Sequence, residues 1–282
     1  MEYGLSTYLY INERLNSHIL DRILGAGFQN IELFAARQHL DYTDRNQVKD
    51  VAQWFRDHEV KLHSVHAPLF SDPDWGRSGG LAVSIAYLER RLRVDSMDEI
   101  KRALDIADDL PFRYLVVHMG LPEDEYDLNK FDAVMTSLEH LKVSVKDRGV
   151  QLLLENVPNQ LGTPERLVQF IHHTHLNVGI CFDTGHANML NGIHPAFETL
   201  NTYIASTHVH DNRGEKDDHL MPFDGAIDWT EAVRDLRRGE GRFPVLFEIR
   251  DYGPNPTSLS RLAEVIERME AIAGEGVSSC SQ

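Results

Sequence analysis

Eight short runs of apolar and β-branched residues recur along the chain, at 3–8, 30–34, 62–66, 114–118, 151–155, 178–183, 205–210 and 245–249. Between them lie longer stretches whose apolar residues are spaced three and four apart, the period of a helix packed on one face. Strand, helix and strand in strict succession imply parallel strands joined by right-handed crossovers. Eight such units in 282 residues are about 35 residues each, which suits closure into a (β/α)8 barrel. An open doubly wound sheet is the competing architecture, but no GxGxxG follows the first run and the alternation continues to the eighth. The expected fold is therefore a single α/β domain, a (β/α)8 TIM barrel over residues 1–273. Its active site should lie at the C-terminal strand ends, and residues 274–282 should form a flexible tail.

The helical stretches carry their own punctuation. Leu15, Ile19 and Ile23 run up to Gly25 and Gly27, and Phe131, Val134, Leu138, Leu141 and Val145 run up to Gly149. Val48, Ala52 and Phe55 mark another stretch, and Leu259, Leu262, Ile266 and Met269 the last. Thr163 followed by Pro164 reads as an N-cap with proline at the first helical position. Two segments break the regular rhythm. Residues 71–80, SDPDWGRSGG, form a polar loop after the third strand, with a helical stretch expected near 81–93. Residues 211–228 form a long loop after the seventh. Long loops in compact domains usually serve function.

Acidic side chains outnumber basic ones 44 to 28, a formal charge of −16. Such a surface argues against nucleic acid or an anionic membrane as partner. Apolar residues at 42% and charged residues at 26% exclude wholesale disorder. Cys181 and Cys280 make a poor disulfide framework. There is no signal-peptide pattern and no apolar run near the roughly 18 residues of a membrane span. The expectation is a soluble, cytoplasmic protein.

In a barrel the test of function is which side chains collect at the C-terminal strand ends. Here the third strand ends in His66, the fourth in His118 and the fifth in Glu155, and the sixth gives Asp183 with His186 just beyond. The seventh supplies His208 and His210, its loop adds Asp217 and His219, and the eighth carries Glu248. An isolated carboxylate after three apolar strand residues costs several kcal/mol unless paired or neutralised. A salt bridge would explain one such glutamate. Two glutamates, an aspartate and several histidines, with no lysine among the strand ends, make a divalent cation the natural compensating charge. Mixed carboxylate and imidazole donors suit Mn, Mg, Co or Zn.

Strand parity refines this set. His208 and His210 share a face, and Asp211, on the opposite parity, should cap the loop. His63 should face the helices as a packing histidine, and Cys181, one layer below Asp183, should be core. His172, His173 and His175 suit a helix C-terminus. Arg250, two residues past Glu248, could reach a phosphate, carboxylate or hydroxyl, or pair with Asp251. Arg213 and Lys216 should be solvated. Trp75 and Phe223 should roof the barrel or pack at the core edge.

The strings SVHAP, LLLENVPN, CFDTGHAN, HVHDN, DDHLMPFDGAIDW and FEIR follow one another at barrel spacing. Together they resemble the xylose isomerase-like TIM barrel superfamily, which holds sugar and sugar phosphate isomerases and epimerases and the apurinic endonucleases. Resemblance to its ketose 3-epimerases implies one divalent metal ion held by Glu155, Asp183, His208 and Glu248. Glu155 and Glu248 would also be catalytic, exchanging protons on opposite faces of an enediolate stabilised by the metal, while His186 would contact substrate oxygens. Resemblance to the endonuclease IV-like phosphodiesterases implies instead a trinuclear zinc set of His66, His118, Glu155, Asp183, His186, His208, Asp217, His219 and Glu248. The isomerase ranks first, with a small-molecule sugar as substrate. The net charge disfavours DNA, and the segments near Asn12 and at 35–39 lack the basic and aromatic clustering that grips a duplex. On this ranking His66, His118, His186, His210, Asp217, His219 and Arg250 bind substrate or additional metal. A barrel that keeps its metal without turnover is the non-enzymatic alternative. A homo-oligomer is compatible with each of these readings.

Overall fold

The computed structural model describes residues 1–251 and 258–278. Eight parallel strands form one sheet: β1 (Tyr3–Ser6), β2 (Asn30–Phe34), β3 (Leu62–His66), β4 (Phe112–His118), β5 (Gln151–Glu155), β6 (Gly179–Asp183), β7 (Ile204–His208) and β8 (Val245–Phe247). They pair in the order β7-β6-β5-β4-β3-β2-β1-β8. The ring closes just above β7, where Val209 bridges Phe247 in parallel. Val209 N–H donates to Leu246 O at 2.8 Å and Glu248 N–H to Val209 O at 3.2 Å. This is the (β/α)8 barrel expected from the alternation.

Helices fill the gaps: α1 (Ser17–Gly25), α2 (Arg45–Asp57), α3 (Arg90–Leu104), α4 (Ile106–Asp109), α5 (Leu128–Lys146), α6 (Pro164–His173), α7 (Thr184–Met189), α8 (Ile193–Leu200), α9 (Trp229–Arg237) and α10 (Ser258–Ser278). Their ends follow local chemistry. Asn16, Asp44, Asp127, Thr163 and Asp228 each accept a backbone N–H at the start of a helix.

Strand alternation sorts side chains into two cores. Leu115, Val117, Leu152, Leu154, Ile180 and Phe182 face the helices within the large outer core. Tyr114, Val116, Leu153 and Cys181 form a separate cluster inside the ring. Glu155 and Asp183 share parity with Leu153 and Cys181, so the same alternation points them into the barrel, at its mouth.

The structure corrects several expectations. Ile31 pairs with Leu62 but Glu32 pairs with Ser64, so a bulge leaves His63 without a partner in β2. The extra residue shifts parity, and His63 turns into the ring rather than toward the helices. Its Nε2 lies 3.1 Å from Ser206 Oγ of β7. A second bulge, at Ala205, sets Ser206 opposite Cys181. β1 stops at Ser6, because Ser6 Oγ caps a 3-10 turn over Thr7–Tyr10. The helix expected near 81–93 starts only at Arg90: Val83 N–H is used by Leu69 O, and Ala82 bridges Phe70. The expected tail from 274 begins inside α10, and residues 279–282 lie outside the described residues. Among the described residues no helix is long and apolar enough to cross a membrane.

Candidate active site

Glu155 of β5, Asp183 of β6, His208 of β7 and Glu248 just beyond β8 bring one ligand-type atom each to within 4.8 Å of one another, all buried. Glu155 Oε2 lies 3.2 Å from His208 Nδ1, and His208 Nδ1 lies 3.7 Å from Glu248 Oε2. Among the described residues, neither Glu155 oxygen, nor His208 Nδ1, nor Glu248 Oε1 has a hydrogen-bond partner. Buried polar atoms left unpaired are costly, and these four belong to three of the four clustered residues.

Further ligand-type groups flank this centre. His66 and His118 join Glu155 in a second set, with His66 Nε2 and His118 Nε2 at 3.4 and 3.2 Å from Glu155 Oε2. His210, Asp217 and His219 form a third. Asp217 Oδ2 lies 2.9 Å from His219 Nε2 and 3.2 Å from His186 Nε2. His210 Nε2 lies 3.0 Å from Asp183 Oδ2, linking the third set to the first. The side chains of His118 and Asp217 remain partly open, at 21% and 33%, and mark where solvent or a ligand reaches the cluster.

Three of the imidazoles are oriented by backbone carbonyls. His66 Nδ1 is 2.7 Å from Ala67 O, His186 Nδ1 2.9 Å from Asn156 O, and His219 Nδ1 2.8 Å from Glu248 O. A carbonyl only accepts, so each Nδ1 carries the proton and each Nε2 is turned inward. Imidazoles that ligate metal are held in this way. His208 is reversed: its Nε2 lies 3.1 Å from Glu32 Oε2, and Nδ1 faces the cluster. Unpaired inward atoms, oriented imidazoles and mixed O/N donors fit a divalent cation.

Electrostatics follow from burial and proximity. Burial pushes the Glu155 carboxyl up, but His208 and His118 outweigh it and hold the group well below the usual carboxylate range. Burial lifts Glu248 well above that range, with Glu155 and Glu32 adding to the rise against His208. Burial lowers His208, yet the carboxylates of Glu248, Glu32 and Glu155 raise it well above the ordinary histidine value. His186 is raised in the same sense by Asp183 and Asp217, again against burial.

The sequence profile of the xylose isomerase-like TIM barrel family matches residues 20–270. The chain belongs to that family. Among curated relatives it is 29% identical over 248 residues to the uncharacterized protein MJ1311 of Methanocaldococcus jannaschii, covering 84% of this chain and 80% of that protein. A solved D-tagatose 3-epimerase-like protein superposes with a TM-score of 0.78 at 26% identity, covering 98% of this chain and all of that one. The AP endonuclease, family 2, of Brucella melitensis shares the fold at 18% identity and a TM-score of 0.68, covering 95% and 99% of the two chains.

In this member of the xylose isomerase-like family the loop at 211–228 is built around Asp211. Its carboxylate accepts from the N–H groups of Asn212, Phe223, Gly225 and Ile227 and from Trp229 Nε1. The capping role read from its parity is thereby met, and the loop delivers Asp217 and His219. Arg250 donates its backbone N–H to His219 O at 2.8 Å, at the rim of the same loop. Trp75 packs on Tyr8 and Phe34, and Phe34 stacks on His66 at 4.3 Å, so Trp75 does border the mouth. Phe223 does not: it packs on Trp229, beneath the Arg268 guanidinium of α10. Arg213 is exposed. His172 and His173 bond Tyr203 and the backbone of α6, away from the site.

Two residues of the site escaped the sequence reading. Glu32 is wholly buried in the ring; its signal was the one used for Glu155, a carboxylate set among strand apolars, but two residues short of the strand end. Asn156 exchanges hydrogen bonds with the Asp183 backbone, at 2.9 and 2.8 Å, and carries the carbonyl that orients His186. Its side chain points sideways along the rim, which parity alone does not show.

Proposed function

We propose that the protein is a divalent-metal-dependent isomerase or epimerase of a sugar or related polyhydroxy substrate. The observation carrying this reading is that Glu155 and Glu248 approach one buried point from different sides of the mouth, with Asp183 and His208 between them. Those four residues would hold the ion. When bound, the ion supplies positive charge that polarises a carbonyl and makes the adjacent carbon acidic. Glu155 serves as the base that removes a proton from that carbon, and Glu248 returns one from the other side. His186, His118 and Asp217 border the opening and orient hydroxyls; Arg250 at the rim is a further substrate contact. Tyr8, Phe34 and Trp75 exclude water on one flank. The similarity to the D-tagatose 3-epimerase-like protein supports the substrate class, and the charge of −16 disfavours a polyanion.

A second reading has its own observation. The sets His66–His118–Glu155, which shares Glu155 with the first, and His210–Asp217–His219 supply ligand-type groups for further ions, which suits an endonuclease IV-like phosphodiesterase. One experiment separates the two. The purified protein, loaded in turn with Mn, Mg, Co and Zn, is incubated with a panel of ketoses and their phosphates and with a duplex carrying an abasic site. Epimerised or isomerised sugar with intact DNA is expected, with bound metal counted in parallel. Nicked DNA with about three zincs per chain would reverse the ranking. Loss of turnover is expected in both Glu155→Gln and Glu248→Gln.

A further inference from the structure

His208 differs from the other oriented imidazoles in what holds it. His66, His186 and His219 give their outer proton to backbone carbonyls. His208 gives its Nε2 proton to the carboxylate of Glu32, at 3.1 Å. Glu32 is fully buried, and its Oε2 also accepts from Ser64 Oγ at 2.8 Å. Among the described residues no lysine or arginine lies within ion-pair distance of it, so its only close cationic partner is the imidazole. The arrangement depends on the bulge at His63, which turns Ser64 into the ring opposite Glu32. A buried carboxylate is expensive to keep in a fold even when an imidazole faces it, and an apolar residue would fill the same space at less cost.

We propose that Glu32 is a positioning residue of the metal centre. It fixes His208 as the tautomer with a bare Nδ1 and, through its negative charge, strengthens that nitrogen as a ligand. The proposal rests on reading the cluster as a divalent-cation site. Ser64 in turn holds Glu32 in the rotamer that reaches His208. Glu32 touches no substrate; it acts through the imidazole.

The test uses the full chain stripped with a chelator and titrated with Co²⁺ and Zn²⁺ alone, affinity being read by competition with a chromogenic chelator. Removing an outer carboxylate of this kind weakens metal binding about 10- to 100-fold, and that loss is expected for Glu32→Ala. Glu32→Gln keeps an acceptor oxygen without the charge, so it should fall between that variant and the unaltered protein. Affinities within twofold of the unaltered protein for both variants would overturn the proposal. A measurement independent of variant folding is ¹⁵N-histidine NMR of the zinc-loaded unaltered protein, where His208 should carry its proton on Nε2 and show a metal-shifted Nδ1. A proton on Nδ1 would overturn the assignment. Failure of the unaltered protein to bind either ion would remove the reading of the site and this proposal together; a failure confined to the variant comparison removes the proposal alone.

Discussion

Glu155 and His208 reach toward each other from β5 and β7 until Oε2 and Nδ1 are 3.2 Å apart, yet among the described residues neither atom has a hydrogen-bond partner. Two groups so placed have given up water without replacing it by a bond to each other, an arrangement that an ion between them would repair. A divalent ion should therefore raise the melting temperature of chelator-treated protein. At 100 times the dissociation constant the gain is about 2.7 kcal/mol. Thermal melts with Mn, Mg, Co and Zn check this; no shift with any of them, and no metal in the purified protein, would sink it. Glu155→Gln should lose most of the shift.

The titrating groups set a direction with pH. His186 and His208 are raised well above the ordinary histidine value in the metal-free protein. Their stabilising contribution is complete below about pH 6.5 and is lost as pH rises through the folded-state values. Glu248, a carboxyl pushed upward chiefly by burial, acts the same way over this range: its cost grows with pH until its folded-state value is passed. Metal-free protein should thus lose stability above neutrality. An ion needs the same imidazoles unprotonated, so its affinity should rise with pH. The gap between melts with and without metal should widen from pH 6.5 to 8.5; a constant or narrowing gap would contradict this.

How far the site could be read from sequence depended on whether strand parity survived. β4, β5 and β6 pair without an added residue on their own chains, and there the alternation placed His118, Glu155 and Asp183 at the mouth. β3 carries a bulge, a feature of pairing with β2 rather than of composition, and there the reading of His63 failed. Arg250, Asp217 and His219 were legible only as ligand-type residues near a strand end. Their placement depends on the loop anchored by Asp211, whose five donors come from residues 212–229. Roofing by Trp75 but not Phe223 was likewise out of reach, since it turns on which side of its loop each ring packs.

That anchor makes Asp211 a sensitive position. Its carboxylate is buried and receives the N–H groups that fold the loop back on itself. Asp211→Ala would leave several buried donors unpaired at about 1–3 kcal/mol each. A destabilisation of about 3 kcal/mol or more is expected by chemical denaturation. Activity should fall even in protein that stays folded, because Asp217 and His219 lose their placement. Stability within 1 kcal/mol of the unaltered protein would show that other contacts hold the loop.

Gly185 supplies a steric test of the same centre. A Cβ at this position would lie 2.0 Å from His210 Cε1, against a ring that stacks on His219 at 4.1 Å and contacts Asp183 Oδ2. The ring cannot move toward His219 without collision, so it must turn away from Asp183 or the backbone of α7 must shift. Forced packing of this kind costs about 1–3 kcal/mol. Gly185→Ala should therefore destabilise modestly but lower turnover by more than tenfold, since Asp183 loses the contact that orients its outer oxygen. If the variant melts lower yet keeps full turnover, His210 is dispensable to the chemistry and its contact with Asp183 serves the fold alone.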